Sequence, residues 1–249
     1  MGSLKKEIAF EYKVIGIRAS ADILLNEIIT QGRRATRYSF DGFLEKLSCG
    51  QYSEEAARVI HGRSLSSGEI GCARSHQLAY KSVLGISDWV IFLEDDMQMV
   101  GSLSLLEEKI AKLPESPTLV LFENGFDSIS ILPRRYRRSR SHSYALNRNA
   151  LDIVNRTQTK IMTVADWPIQ WAFLIDFAII NQDSVALRES QESLIQAGRS
   201  FEVQKQSKSF SFMRKVWPIR MLRILILLKK EKVERPVLTS FYSSRSGMY

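Results

Sequence analysis

With 249 residues, 45% of them hydrophobic, the chain is long enough for one large α/β domain or two small ones and can bury a substantial core without disulfide help. Its two cysteines, Cys49 and Cys72, are too few for a secreted disulfide scaffold and lack metal-ligand spacing, so we expect a reduced cytosolic compartment and two small core residues. A formal net charge of +8 and a pI near 9.5 imply an anionic partner: nucleic acid, a nucleotide, a phosphorylated glycolipid or a membrane surface.

Met1 to Phe10 lacks the long apolar core of a signal peptide, and no run approaches the roughly 20 apolar residues that span a bilayer. A first strand is predicted at Lys13 to Ile17 and a helix at Ala21 to Ile29, with Ile23, Leu24 and Ile28 on one side, the opening of a βα unit. Gly32 ends that helix, and Ala35 to Phe40 alternates as a second strand before the turn Asp41-Gly42. Leu44 to Gly62 reads as helical. Ser66-Ser-Gly-Glu69 fits a capping box, in which Ser66 accepts from the Glu69 amide and the Glu69 side chain reaches back. The helix that follows, to about Leu84, puts Cys72, Ser75, His76, Ala79 and Val83 along one side; His76 there is either a hydrogen-bonded core histidine or a ligand.

Trp89-Val-Ile-Phe-Leu-Glu-Asp-Asp96 is the stretch on which the functional reading turns. Five apolar residues bounded by Gly85 and Asp88 predict a strand buried on both faces, and carboxylates at its end would face the crevice where open α/β sheets bind ligands. Three acids so close repel one another unless a hard divalent cation bridges them to phosphate oxygens; the plainer alternative is a solvated acidic turn. Leu103, Leu106, Ile110 and Leu113 lie in helical register, closed by Pro114 and Pro117. Thr118 to Phe122 predicts another buried strand, whose end, Glu123-Asn-Gly125, would lie beside the acidic triplet if the two strands are neighbours. The alternation of strand and helix predicts a parallel or mixed sheet covered by helices.

Pro133 to Arg140 packs five arginines into eight residues, either a solvated loop or a clamp on phosphate, whose oxygens match guanidinium forks. Ser143 to Leu146 predicts a short strand, and Asn147 caps the helix that runs to about Arg156. In Ala165-Asp-Trp-Pro-Ile-Gln-Trp171 an acid among apolar residues stands just before two tryptophans, which suits sugar binding by indole stacking unless the rings are core. Phe177 to Ile180 is a further strand. Phe210 to Lys232 is a basic amphipathic segment with an interfacial Trp217, of the kind that lies on an anionic membrane, with a partner-helix or core role as the alternative. The expected organisation is one domain over residues 1–205 and a basic amphipathic extension over 206–249.

Leu65-Ser-Ser-Gly-Glu-Ile-Gly-Cys-Ala-Arg-Ser-His76, followed by Leu93-Glu-Asp-Asp96, resembles glycosyltransferase family 25, the lipooligosaccharide galactosyltransferase family. The likeness extends to Asp41-Gly42, to Ser143-Tyr-Ala-Leu-Asn-Arg148 and to Asp166, covering about residues 12–183. It implies an A-type glycosyltransferase fold, a Rossmann-like mixed α/β sheet flanked by helices. It further implies transfer of a sugar, galactose favoured, from a UDP-sugar to a saccharide or glycolipid acceptor of a bacterial surface glycan such as lipooligosaccharide or lipopolysaccharide. Carried across, Glu94, Asp95 and Asp96 hold donor and metal, with Asp95 and Asp96 as the metal ligands for manganese, or magnesium as the alternative. Ser75 and His76 line the donor pocket. Asp96 and Asp166 are the catalytic candidates, Asp166 as the carboxylate that removes the acceptor proton. Trp167, Arg137 and Arg138 are assigned to the acceptor.

These expectations place the protein on the cytoplasmic face of the inner membrane, peripherally held. Two other classes compete. A basic nucleic-acid-binding module would use the net charge and the arginines around Tyr136, but no recognisable binding motif accompanies the charge and the triplet repels phosphate, so no nucleic acid is expected. An inactive glycosyltransferase-like scaffold is opposed by the intact triplet.

Overall fold

The computed structural model describes residues 8–41, 47, 48, 50–61, 63–83, 85, 87–123, 142–163, 165, 171 and 174–188. Thirteen elements follow in order: β1 (Phe10–Ile15), α1 (Ser20–Thr30), β2 (Ala35–Tyr38), α2 (Glu54–His61), α3 (Ser67–Lys81), β3 (Trp89–Glu94), β4 (Met97–Met99), α4 (Leu103–Ile110), β5 (Thr118–Glu123), β6 (Ser143–Asn147), α5 (Arg148–Thr157), β7 (Asp176–Asn181) and β8 (Val185–Leu187). Six strands form one sheet in the order β2-β1-β3-β6-β5-β7, and β4 pairs with β8 in a separate ribbon. In the large sheet β6 alone runs antiparallel to its neighbours. The molecule is thus a mixed α/β sheet flanked by helices, as the strand and helix alternation predicts.

Period-two alternation sorts the strand residues onto two faces. Trp89, Ile91 and Leu93 join Leu24 and Ile28 of α1 and Leu103, Leu106 and Ile110 of α4 in one core. Val90 and Phe92 join Ala79 and Tyr80 of α3 and Ala150, Leu151 and Val154 of α5 in the other. A strand lined on both sides has no polar face, which is why Trp89 to Leu93 is unbroken apolar sequence. Ile91, Phe92 and Leu93 are fully buried, and each is worth about 1.5–3 kcal/mol relative to exposure.

Several boundaries differ from the sequence reading. β1 begins at Phe10 because Glu11 and Lys13, charged but 2% and 1% exposed, satisfy each other inside: Lys13 Nζ donates to Glu11 Oε1 at 2.7 Å, and Ser87 Oγ donates to Glu11 Oε2 at 3.0 Å. The helix predicted across 44–62 shortens to α2, since Tyr52 forms a bridge to Ile161 and the chain turns at Gly50, with φ +83°. Among the described residues the two cysteines are represented by Cys72, which is only half-buried. β6 lies between β3 and β5, so Glu123 is not beside the acidic triplet.

The start of α3 matches its prediction. Ser66 Oγ accepts from Glu69 N and the Glu69 carboxylate accepts from Ser66 N, a reciprocal capping box. Glu69 is 1% exposed and also takes a two-pronged contact from Arg63, both bonds 2.7 Å. That anchor fixes where α3 starts, and with it the height of His76 above the sheet.

Candidate active site

The parallel strands β2, β1 and β3 end side by side, Ile15 in register with both Tyr38 and Glu94. Antiparallel β6 starts at the same edge, where Glu94 N donates to His142 O at 2.8 Å. Four chain segments therefore meet at the carboxyl ends of the strands: Gly16 to Arg18, Phe40 and Asp41, Glu94 to Asp96, and His142. This is where open α/β sheets place their ligands.

The structure divides the triplet. Glu94 and Asp96 turn to His142, whose Nδ1 lies 2.6 Å from Asp96 Oδ2 and 3.6 Å from Glu94 Oε2. Asp95 turns to the β1–α1 loop, where its Oδ2 accepts from Arg18 N at 3.1 Å and its carboxylate packs on Gly16. Glu94 closes β3 and Asp95 and Asp96 make the turn into β4, across which the side chains of 94 and 96 share one side and that of 95 takes the other. The sequence reading paired Asp95 with Asp96 as metal ligands; the geometry brings Asp96 together with Glu94 and His142.

Electrostatics follow that division. Burial pushes Glu94 up, but the nearby His142 imidazole, the hydrogen bond from His76 and the charge of both rings outweigh it and hold this carboxylate far below its ordinary range. Burial would lower His142, yet the close approach of the Asp96 and Glu94 carboxylates and their charges prevail and raise it to about 10. Burial raises Asp95, offset by the Arg18 amide and reinforced by the charges of Asp96 and Glu94. A cationic imidazole thus stands between two carboxylates at neutral pH.

Glu94, Asp96 and His142 each bring a ligand atom within 4.8 Å of the others. Asp96 Oδ1 is buried without a hydrogen-bond partner, and neither His142 ring nitrogen has a well-directed one, the 2.6 Å approach being an ion pair of poor angle. Two carboxylate oxygens and an imidazole that gives up its proton on binding are donors that manganese accepts. The residues fit a divalent cation. His142 is absent from the sequence reading; its one signal was to be among three histidines and to stand immediately before a predicted strand.

His76 is 1% exposed and bonded on both nitrogens. Nε2 lies 3.1 Å from Glu94 Oε1, Nδ1 lies 2.8 Å from the Tyr144 hydroxyl, and Tyr144 lies 2.6 Å from the Tyr80 hydroxyl. Burial raises both tyrosines, so both keep their protons. The chain of bonds runs from the core to the site and orients Glu94. Tyr144→Phe should cost about 1–2 kcal/mol of stability by stranding His76 Nδ1; an unchanged urea midpoint would deny this bond its role. Ser75 is spent on structure: its hydroxyl donates to Gly71 O at 2.9 Å and accepts from Phe40 N at 2.8 Å, tying the end of β2 to α3.

Arg137, Arg138, Asp166 and Trp167 lie outside the described residues. Ala165 is present and lines a recess together with Ala73, His76, Gln77, Lys160 and Thr163. Trp171 is fully buried, packed edge-on against Tyr80, with Nε1 donating to Thr157 Oγ1 at 3.3 Å; it is core, not a sugar platform. No described helix is long and apolar enough to cross a membrane.

The family model described as glycosyltransferase family 25 (LPS biosynthesis protein) matches residues 30–166, just over half the chain. The chain also resembles a glycosyltransferase involved in the glycosylation of the major capsid of PBCV-1, at 11% identity over 61% of this chain and 66% of that one, with a TM-score of 0.34. It therefore spans just under two thirds of that protein's length. A197 from STIV is 8% identical over 75% of this chain and 97% of its own, with a TM-score of 0.38. No curated protein matches the sequence.

Proposed function

Because the chain belongs to glycosyltransferase family 25, we propose that it transfers a sugar, galactose favoured, from a UDP-sugar to a saccharide or glycolipid acceptor of a bacterial surface glycan such as lipooligosaccharide or lipopolysaccharide. The observation that carries this reading is the convergence of Glu94, Asp96 and His142 at the carboxyl end of β3. Such a group belongs where a diphosphate leaving group must be held.

Glu94, Asp96 and His142 would hold a divalent metal, manganese favoured over magnesium, which when bound supplies Lewis-acid neutralisation of the departing diphosphate. His76 keeps the Glu94 carboxylate aimed at that position through its 3.1 Å bond. Asp95 holds the Arg18 amide and so shapes the β1–α1 loop beside the donor. Ser75 fixes the β2 end of the same pocket. Asp166 is assigned the acceptor proton, and Trp167 the face of the acceptor sugar. Calorimetry with UDP-sugars, with and without manganese, tests the proposal: donor binding should depend on the metal, and absence of binding to every UDP-sugar in its presence would overturn it.

Arg137 and Arg138 are assigned to phosphate on the acceptor or donor. Since such contacts hold ground and transition states alike, Arg137→Ala with Arg138→Ala should raise KM more than it lowers kcat. Unchanged kinetics would return the loop to solvent. Residues 206–249 form the proposed membrane-contacting extension of a catalytic domain over 1–205, bound peripherally to the cytoplasmic face of the inner membrane through cations worth about 1 kcal/mol each near an anionic surface. Removal of residues from Phe210 onward should release the protein from anionic liposomes; continued sedimentation with them would refute the assignment.

A further inference from the structure

Glu94 belongs to two groups of converging donors. Besides Asp96 and His142, it lies with Cys72 and His76, and one ligand atom of each of these three is within 4.8 Å of the others. Cys72 and His76 stand four residues apart on α3, the spacing that puts two side chains on one helix face, and Glu94 reaches them from the end of β3. We propose that Cys72, His76 and Glu94 form a second metal site, for zinc or a similarly thiophilic ion, which competes with the first site for the Glu94 carboxylate.

The donor chemistry separates the two sites. Glu94, Asp96 and His142 offer mainly hard oxygen, whereas a thiolate, an imidazole and a carboxylate suit borderline-soft zinc in a three-ligand site that leaves a fourth position open. His76 Nε2 and Glu94 Oε1 are 3.1 Å apart, close to the spacing of about 3.3 Å expected for nitrogen and oxygen ligands that share a tetrahedral zinc. The imidazole has the outer partner a metal-bound histidine uses: with Nε2 on the metal, Nδ1–H donates to the Tyr144 hydroxyl at 2.8 Å, and Tyr144 donates onward to Tyr80 at 2.6 Å. Either tyrosine hydroxyl can be the donor, so the two bonds reverse direction without movement. His76 is buried and Cys72 half-buried, which leaves the thiol as the side from which an ion enters. Glu94 turns a different oxygen to each group, Oε1 to His76 and Oε2 to His142, but a dication held at Cys72 shares the single negative charge of that carboxylate and repels a second dication beside it, so zinc there weakens the first site. Binding at this site stands apart from the proposed transfer; its inhibitory consequence rests on that reading.

The test is titration of the metal-free full chain with cobalt, whose thiolate complexes absorb by charge transfer in the near ultraviolet. A stoichiometric band is expected in the parent, lost in Cys72→Ser and kept in Cys49→Ser and in His142→Ala. On the parent protein itself, zinc should slow alkylation of Cys72 by iodoacetamide while Cys49 serves as the internal reference, a readout that needs no variant to fold. Absence of the band, its survival in Cys72→Ser, or equal alkylation of Cys72 with and without zinc overturns the site. None of these readouts uses a sugar donor, so failure of the transferase reading leaves them intact. In the active protein, zinc should inhibit manganese-supported transfer in the parent and not in Cys72→Ser; inhibition of both equally removes the proposed competition.

Discussion

Asp96→Asn should lower metal-dependent sugar transfer by about 100-fold, since losing about 3 kcal/mol of stabilisation at the leaving group is what removal of a charged ligand from a Lewis-acid site costs. The substitution keeps the side chain's size, so the fold should survive. Two further signs mark the effect as local. Donor binding should cease to respond to manganese, because a neutral amide oxygen holds a hard cation poorly. In the metal-free protein the His142 imidazole should titrate lower: the adjoining Asp96 and Glu94 carboxylates hold it at about 10 against the opposing pull of burial, and one of the two supports is gone. Proton NMR of the imidazole reads that midpoint directly. Undiminished turnover, with donor binding equal to that of the parent in manganese, would remove Asp96 from the metal site.

The acidic strand was legible because a strand buried on both faces leaves a continuous apolar run, and Trp89 to Leu93 has nothing polar to obscure it. The capping box at Ser66 and Glu69 was legible for the opposite reason: its chemistry is entirely local, three residues apart. His142 was not, because its meeting with Asp96 depends on β6 inserting antiparallel between β3 and β5, a pairing that no local pattern encodes. The same distance hides the split of the triplet. That Asp95 is the acid that faces away depends on Gly16 and on the Arg18 amide, the latter 77 residues earlier. The ribbon of β4 and β8 escaped notice since three-residue strands are shorter than any periodicity can register. Glu11 obscured the start of β1 because it is polar alone and only its pairing with Lys13 makes it core.

Gly16 is where that remote dependence can be measured. Its φ of +154° disfavours a side chain, and a Cβ there would overlap the Asp95 carboxylate. Gly16→Ala must therefore displace Asp95 from Arg18 N or shift the end of β1, and overpacking together with backbone strain should cost about 3 kcal/mol. For a chain of this length that lowers Tm by roughly 9 °C. Gly32→Ala provides the comparison: its φ is +75°, with nothing within 4 Å of the added carbon, so it carries backbone strain alone, about 1 kcal/mol. The overlap is isolated by repeating Gly16→Ala in Asp95→Gly, which removes the side chain it strikes. The cost should then fall to about that of Gly32→Ala, a coupling of about 2 kcal/mol between residues in direct contact. If Gly16→Ala costs as much without the Asp95 side chain as with it, the carboxylate does not rest on Gly16, and the β1–α1 loop must be held by something other than Asp95.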